Sequence, residues 1–421
     1  MGANVKAKAV DAAKTEATKR ARLGEIARAF LRLGFVAFGG AAAHIGLMEE
    51  EFVRRRKWLS REEFLDRLGA VNLLPGPTST EMAIYLGELR GGFAGLLVSG
   101  ACFIFPAAFM TVGMACAYVK YGALPELAGV LWGVKPVVVV LLVQAVLSLA
   151  RAALKSRELM FLAAVVLGLA TMHVPTLALL IGTGVAWIVA TRFGRKPDAA
   201  VVAAAAIGSC VVSSATGANL ASGAQGENTT RGAVAAVGGV SSFLAVTTSG
   251  VFLYFLKIGA LLFGSGYVLL AVMREDLVTR LHWLTQTQLL DAIAVSQATP
   301  GPFFTVATFV GYVLAGWHGA GVATLGMFVP AFTYVALTAN VLPKMRKSPN
   351  AGTFLDGVNA AAVALMAFVG IQFAREVVTT PLALVIGVVA AVLVFRFRVN
   401  SAWVVLGGAV TGLLSRLPIW K

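Results

Sequence analysis

An all-α, polytopic membrane protein built from two related halves is the fold this sequence predicts, on three observations. Only 13% of its 421 residues are charged and 58% are hydrophobic, whereas an ordinary soluble domain carries about 25% charged residues. Apolar stretches at 93–118, 130–150, 159–174 and 382–397 approach the roughly 20 residues that take a helix across about 30 Å of hydrocarbon. The segment starting at Phe30 recurs 225 positions later, with 16 of 48 pairs identical and no gap between Phe30 and Pro77. A β-barrel would alternate in segments of about ten residues, and these runs are continuous.

Residues 1–24 form a basic, Ala-rich leader without the apolar core of a signal peptide, expected as a cytoplasmic helix. The first repeat, 25–192, opens with FLRLGFVAFGG, continues through a charged segment to Trp58-Leu59-Ser60, and reaches Pro75-Gly76-Pro77. Candidate spans follow at 93–118, 128–150, 158–174 and 176–192. The linker, 193–254, is expected to add a span near 199–216 or 232–252. The second repeat, 255–421, opens with FLKIGALLFGS, has Trp283-Leu284-Thr285 and Pro300-Gly301-Pro302, and offers spans at 319–341, 354–374, 381–397 and 400–415. After one deletion the register resumes, with Gly87 opposite Gly311 and Pro106 opposite Pro330.

Basic residues give the orientation. The leader and the cluster Arg54, Arg55, Arg56, Lys57 and Arg61 flank the first Phe-Gly-Gly segment, and both favour the cytoplasm. That segment therefore reads as a hairpin that enters and returns, broken at Gly39-Gly40. The Pro-Gly-Pro segment reads as a second hairpin of the same kind. In the other copy the basic bias moves to Lys344, Arg346 and Lys347, as an inverted-topology repeat requires.

Proline removes a backbone donor and breaks a helix, and amides freed within hydrocarbon must find a partner in protein, water or ligand. Pro75, Gly76 and Pro77 are followed by the hydroxyls of Thr78, Ser79 and Thr80, while Pro300, Gly301 and Pro302 are followed by Thr305. Helix starts with exposed amides and neutral hydroxyls suit an oxyanion. The candidate substrate-binding set adds Gly39, Gly40, His44, Gly264, Ser265 and the matched carboxamides Asn72 and Gln297. Charge and coupling candidates are Glu81, a carboxylate within membrane depth, and the matched cations Arg32 and Lys257, for which snorkelling is the competing role. Asp66 and Asp291 match across the repeat and read as caps or ion pairs.

The net charge of +15 is spread in short clusters between apolar spans, which indicates anionic lipid and loop orientation rather than nucleic acid. Cys102, Cys116 and Cys210 show no ligand or disulfide spacing. No P-loop, HExxH or strand-flanked GxSxG is present, so neither an enzyme nor a cofactor or metal is expected.

FGGAAAHIGLMEEEFVRRRKWLSREEF (38–64) together with NLLPGPTSTEMAIYLG (72–87) resembles the chromate ion transporter family, in its long-chain duplicated form. The resemblance covers nearly everything after the leader. It implies a multi-pass protein of the bacterial inner membrane that exports chromate, with sulfate as a related oxyanion, and confers chromate resistance. Three positions depart from the family pattern: Ala41 for a proline, Asn72 for a glutamine and Glu81 for a glutamine. Expected partners are the oxyanion and membrane lipid, with a homodimer possible. A proton-coupled carrier of sulfate or an organic acid, and a non-transporting scaffold subunit, are the alternatives.

Overall fold

The computed structural model describes residues 20–122, 125–172, 174–192, 246–263, 266, 268–338 and 349–415. Residues 1–19, the candidate span at 199–216 and most of that at 232–252, Cys210, Gly264, Ser265, Lys344, Arg346 and Lys347 lie outside them. Among the described residues the regular structure is entirely helical. The first half contains α1 (20–36), α2 (Gly40–Met48) running into a π-helical turn (Glu49–Arg55), α3 (Arg61–Val71), α4 (Thr78–Tyr121), α5 (Pro125–Ala153), α6 (Arg157–Thr171) and α7 (Thr176–Arg192). The second half repeats this order as α8 (Thr248–Leu261), α9 (Val268–Met273) with its π-helical turn (Arg274–Arg280), α10 (Gln286–Ala298), α11 (Val306–Thr338), α12 (Pro349–Val377), α13 (Pro381–Phe395) and α14 (Ser401–Leu414).

The duplication extends to backbone detail. Lys57 and His282 share the same left-handed φ, 50° and 51°, and Gly92 and Gly316 both have φ 61° where they interrupt α4 and α11. Each copy of the third helix starts with a capping box, Ser60 with Glu63 and Thr285 with Gln288, so two orphan helix amides are satisfied reciprocally in each.

The chain enters and returns twice before its first full span. Along the first hairpin, Ala37 meets His44, Phe30 stacks on Phe52 at 4.8 Å, and Glu25 meets Arg56 at 3.1 Å. Contacts thus step back down α1 as the chain advances. The second hairpin joins α3 to the part of α4 before Gly92, with Arg67 donating to Tyr85 across it at 2.9 Å. Its arms rise about 16 Å and 21 Å at 1.5 Å per residue, too short for about 30 Å of hydrocarbon. Both hairpins stand on one foot, where Glu25 accepts from Arg56, Trp58 and Arg90. The nearby basic cluster is neutralised locally, Arg54 by Glu50 and Arg61 by Glu49.

Among the described residues, four helices are long and apolar enough to cross a membrane: Thr78–Tyr121, Leu127–Ala153, Phe303–Thr338 and Gly352–Val377. Phe93, Phe105, Phe109, Val388 and Trp403 are exposed on the outside of the bundle. So much outward apolar surface belongs in lipid. Helices α4 and α11 pack antiparallel, with Tyr118 near the end of one against Phe309 near the start of the other at 5.2 Å. Repeat-related helices that run antiparallel imply a two-fold axis perpendicular to them, the geometry of an inverted repeat. The halves also exchange partners. Gly133 of α5 seats on Gly408 of α14, and Gly357 of α12 on Gly184 of α7, each seam too close for any side chain.

Candidate functional site

The tips of the hairpins from both halves meet in the middle of the bundle. Pro-Gly-Pro ends the preceding helix as the sequence predicts, α3 stopping at Val71 and α10 at Ala298. Gly76 adopts φ +136° and Gly301 φ +91°, a region that L side chains rarely enter. Their amides, however, are not left for a ligand. Gly76 N–H donates to Leu262 O and Gly301 N–H to Ala37 O, both at 2.8 Å, so each half supplies the carbonyl that the break in the other half needs.

Two of the expected hydroxyl donors, Ser79 and Thr305, are likewise committed to protein. The imidazole of buried His44 lies 3.1 Å from Ala37 O through Nε2 and 3.3 Å from Ser79 Oγ through Nδ1. It therefore ties the two hairpin tips of the first half together. Thr305 Oγ1 donates to Pro302 O at 3.0 Å. Thr80 is fully buried with no hydrogen-bond partner for its hydroxyl among the described residues, and Thr78 is half-buried. In this structure Ser79 and Thr305 thus hold protein groups.

The cavity lies beside the tips, with a volume of about 210 Å³. Gly39 comes from the first Phe-Gly break, Gln297 from the end of α10, Gln144 from the middle of α5, and Asn400 and Ser401 from the start of α14. Gly39 (φ +103°, ψ 17°) is the residue from which α2 starts, without a side-chain cap. Asn400 caps α14, its Oδ1 accepting from Ala402 N–H at 3.0 Å. Two helix N-termini thus form part of one wall, each carrying positive partial charge and amides. Among the described residues, neither a carboxylate nor a cationic side chain lines this cavity. It offers neutral donors in a confined volume, which suits an anion that must bind and then leave.

Other sequence candidates fall elsewhere. Gly40 begins α2 immediately behind the cavity, while Asn72 is exposed at the end of α3. Arg32 is exposed on α1, and Lys257 Nζ lies 4.0 Å from Asp276 Oδ2, so neither cation faces the cavity. Glu81 is fully buried, and neither carboxylate oxygen has a hydrogen-bond partner among the described residues. It packs against the Gly76 backbone, and Arg90, farther along α4, is held by Glu25. No described residue compensates a charge at Glu81, an expensive arrangement for any buried group that ionises.

Sequence reasoning passed over Gln144, Asn400 and Ser401, and also Lys135. Lys135 Nζ lies 2.9 Å from Asp291 Oδ1, and Tyr118 donates to Asp291 Oδ2 at 3.1 Å. A polar or charged residue alone in an apolar run is the signal that could have found Gln144 and Lys135. A second cavity, of about 440 Å³, lies near the start of α7 and includes Arg274, Arg280 and Glu275. The Glu275 carboxylate accepts from Thr176 N–H at 2.6 Å and Arg280 is paired with Asp276 at 3.2 Å, while Arg274 Nε is buried with no hydrogen-bond partner among the described residues.

The family model for chromate transporters matches residues 24–209 and 249–413. A chromate transport protein of Cupriavidus metallidurans is 29% identical over 399 residues, 93% of each chain. One from Pseudomonas aeruginosa is 29% identical over 392 residues, covering 91% of this chain and 90% of its own. A probable chromate transport protein of Synechococcus elongatus is 26% identical over 396 residues, 93% of this chain and 95% of its own. No solved structure matches.

Proposed function

The chain belongs to the chromate transporter family, and from that premise we propose that it exports a tetrahedral oxyanion, chromate or the sulfate-like dianion, by alternating access as a secondary active transporter. One observation carries the reading: a cavity built from both halves, walled by two helix N-termini and free of carboxylates. An inverted repeat supplies the device, since rocking one set of hairpins against the other would open the cavity to either side in turn. Glu81 is the coupling residue in this reading, carrying a proton through a position where a fixed charge finds no partner among the described residues. We place the protein in the bacterial inner membrane with its N-terminus cytoplasmic, keep 25–192 and 255–421 as the repeat units, and leave a homodimer as an assembly to be measured.

The test is chromate and sulfate uptake into everted vesicles containing the intact chain. Saturable chromate uptake inhibited by sulfate supports the reading. Uptake of an organic acid but neither oxyanion would favour the other carrier class, and no flux under any ion gradient would favour a scaffold.

A further inference from the structure

The pair of Lys135 and Asp291 is absorbed by neither the cavity nor the coupling role. Both groups are largely withdrawn from solvent, at 17% and 4% side-chain exposure, and they meet at 2.9 Å with the Tyr118 hydroxyl on the second carboxylate oxygen. Charges this deep in a membrane bundle are costly and mark ion pathways more often than packing.

Their position is informative. Lys135 precedes Gln144 by nine residues on α5, about 14 Å along the axis, and Asp291 precedes Gln297 by six on α10, about 9 Å. Each helix therefore carries one residue in the cavity and one in the ion pair. The two helices run side by side in the same direction, and the pair bridges the seam between them at some distance along it from the cavity. The repeat shows that the fold does not require it. In register with Asp291 stands Asp66, exposed at the surface, and in register with Lys135 stands Asn359. The same architecture thus forms in the other half without a lysine.

Lys135 and Tyr118 together present a cation and a hydroxyl donor to two carboxylate oxygens. A tetrahedral oxyanion offers the same acceptors. We propose that Lys135 and Tyr118 form a second oxyanion-binding station on the route through the α5–α10 seam, held in this structure by the Asp291 carboxylate, which gives way to the substrate during the cycle. This inference rests on the oxyanion-transport reading. In the resting protein Asp291 neutralises the lysine and keeps the seam closed. An arriving dianion replaces one carboxylate, and the returning carboxylate helps to expel it.

The test is the concentration dependence of chromate uptake, with sulfate as competitor, in everted vesicles bearing wild-type protein, Asp291→Asn, Lys135→Arg, Lys135→Met, Tyr118→Phe and the double variant Lys135→Met/Asp291→Asn. Asp291→Asn leaves the lysine uncompensated, so the KM for chromate and the inhibition constant for sulfate are expected to fall about fivefold or more while the maximal rate drops. Lys135→Met is expected to lose at least about tenfold in rate, Lys135→Arg to keep most of it, and Tyr118→Phe to raise KM severalfold. The double variant, although charge-balanced, should stay as poor as Lys135→Met. Recovery of wild-type KM and rate by the double variant would show the pair to be structural only, as would an unchanged KM in Tyr118→Phe. Tyr118→Phe removes only a hydroxyl, so it decides the matter even if Asp291→Asn fails to accumulate. A wild-type chain that moves neither anion would overturn the transport reading itself, whereas wild-type transport with an unshifted KM in Asp291→Asn would overturn this station alone.

Discussion

Gln144→Leu tests the cavity most directly. Gln144 is exposed to the cavity and lies on a helix that is apolar on both sides of it, with no hydrogen-bond partner among the described residues. Its removal therefore breaks no described internal bond. The carboxamide is the donor that α5 offers, beside Gln297, Ser401 and the α2 helix start that follows Gly39. A hydrogen bond to a charged partner contributes about 1.5–3 kcal/mol. The free carboxamide is already hydrated, so the lower end applies, and about 1.5 kcal/mol corresponds to roughly tenfold in affinity. The variant should raise the KM for chromate about tenfold, and the inhibition constant for sulfate in parallel, at unchanged protein level in the membrane. Initial uptake rates in everted vesicles over a range of chromate concentrations measure both. A KM within about twofold of wild type would mean that the anion does not touch this wall, and the cavity would lose its role.

Gly39→Ala forces a side chain onto φ +103° and puts a methyl 3.1 Å from the Ala43 Cβ, in the direction of Ser401 Oγ. It should destabilise the protein by about 1–2 kcal/mol, seen as a lower Tm in detergent, and should raise the KM for chromate. Glu81→Gln keeps the shape and removes the titratable group. Anion exchange between preloaded vesicles should persist while the response of net uptake to an imposed pH gradient disappears, and loss of both would assign Glu81 to packing instead. Ser60→Ala removes the α3 cap and should lower stability by about 0.5–2 kcal/mol. The reciprocal bond from Ser60 N–H holds the Glu63 carboxyl below its ordinary value, so its contribution is full above the unfolded pKa, about 4.3, and is lost as pH falls through the folded one. The Tm deficit of Glu63→Gln should accordingly be present at neutral pH and vanish on acidification.

Much of the scaffold could be read directly from residue order. Repetition of Trp58, Asp66 and Pro75-Gly76-Pro77 at one offset located the halves, and the prolines located the breaks, because loss of a backbone donor is a local property. The hairpins followed from charge on both flanks of a segment too short to count twice. What escaped is whatever depends on the halves touching. Nothing local to Gly76 says that its amide meets Leu262 O, and nothing local to Ser79 says that its hydroxyl meets His44. Gln144 and Ser401 are 257 positions apart and share a wall only because α5 lies on α14 of the other half. Lys135 was visible in principle as a lone cation in the apolar run from Val134 to Leu142, but its partner on α10 was not.

Each glycine amide at a Pro-Gly-Pro turn finds its acceptor across the pseudo-two-fold axis, and the long helices exchange neighbours in the same way. Severed within residues 193–245, the polypeptide would yield fragments that each bury a donor with no acceptor and expose a glycine-lined groove with no occupant. Separately produced, such fragments should be degraded. Made in one cell, they should find each other and accumulate together, so that the unit of inheritance for this architecture is the matched couple rather than either member.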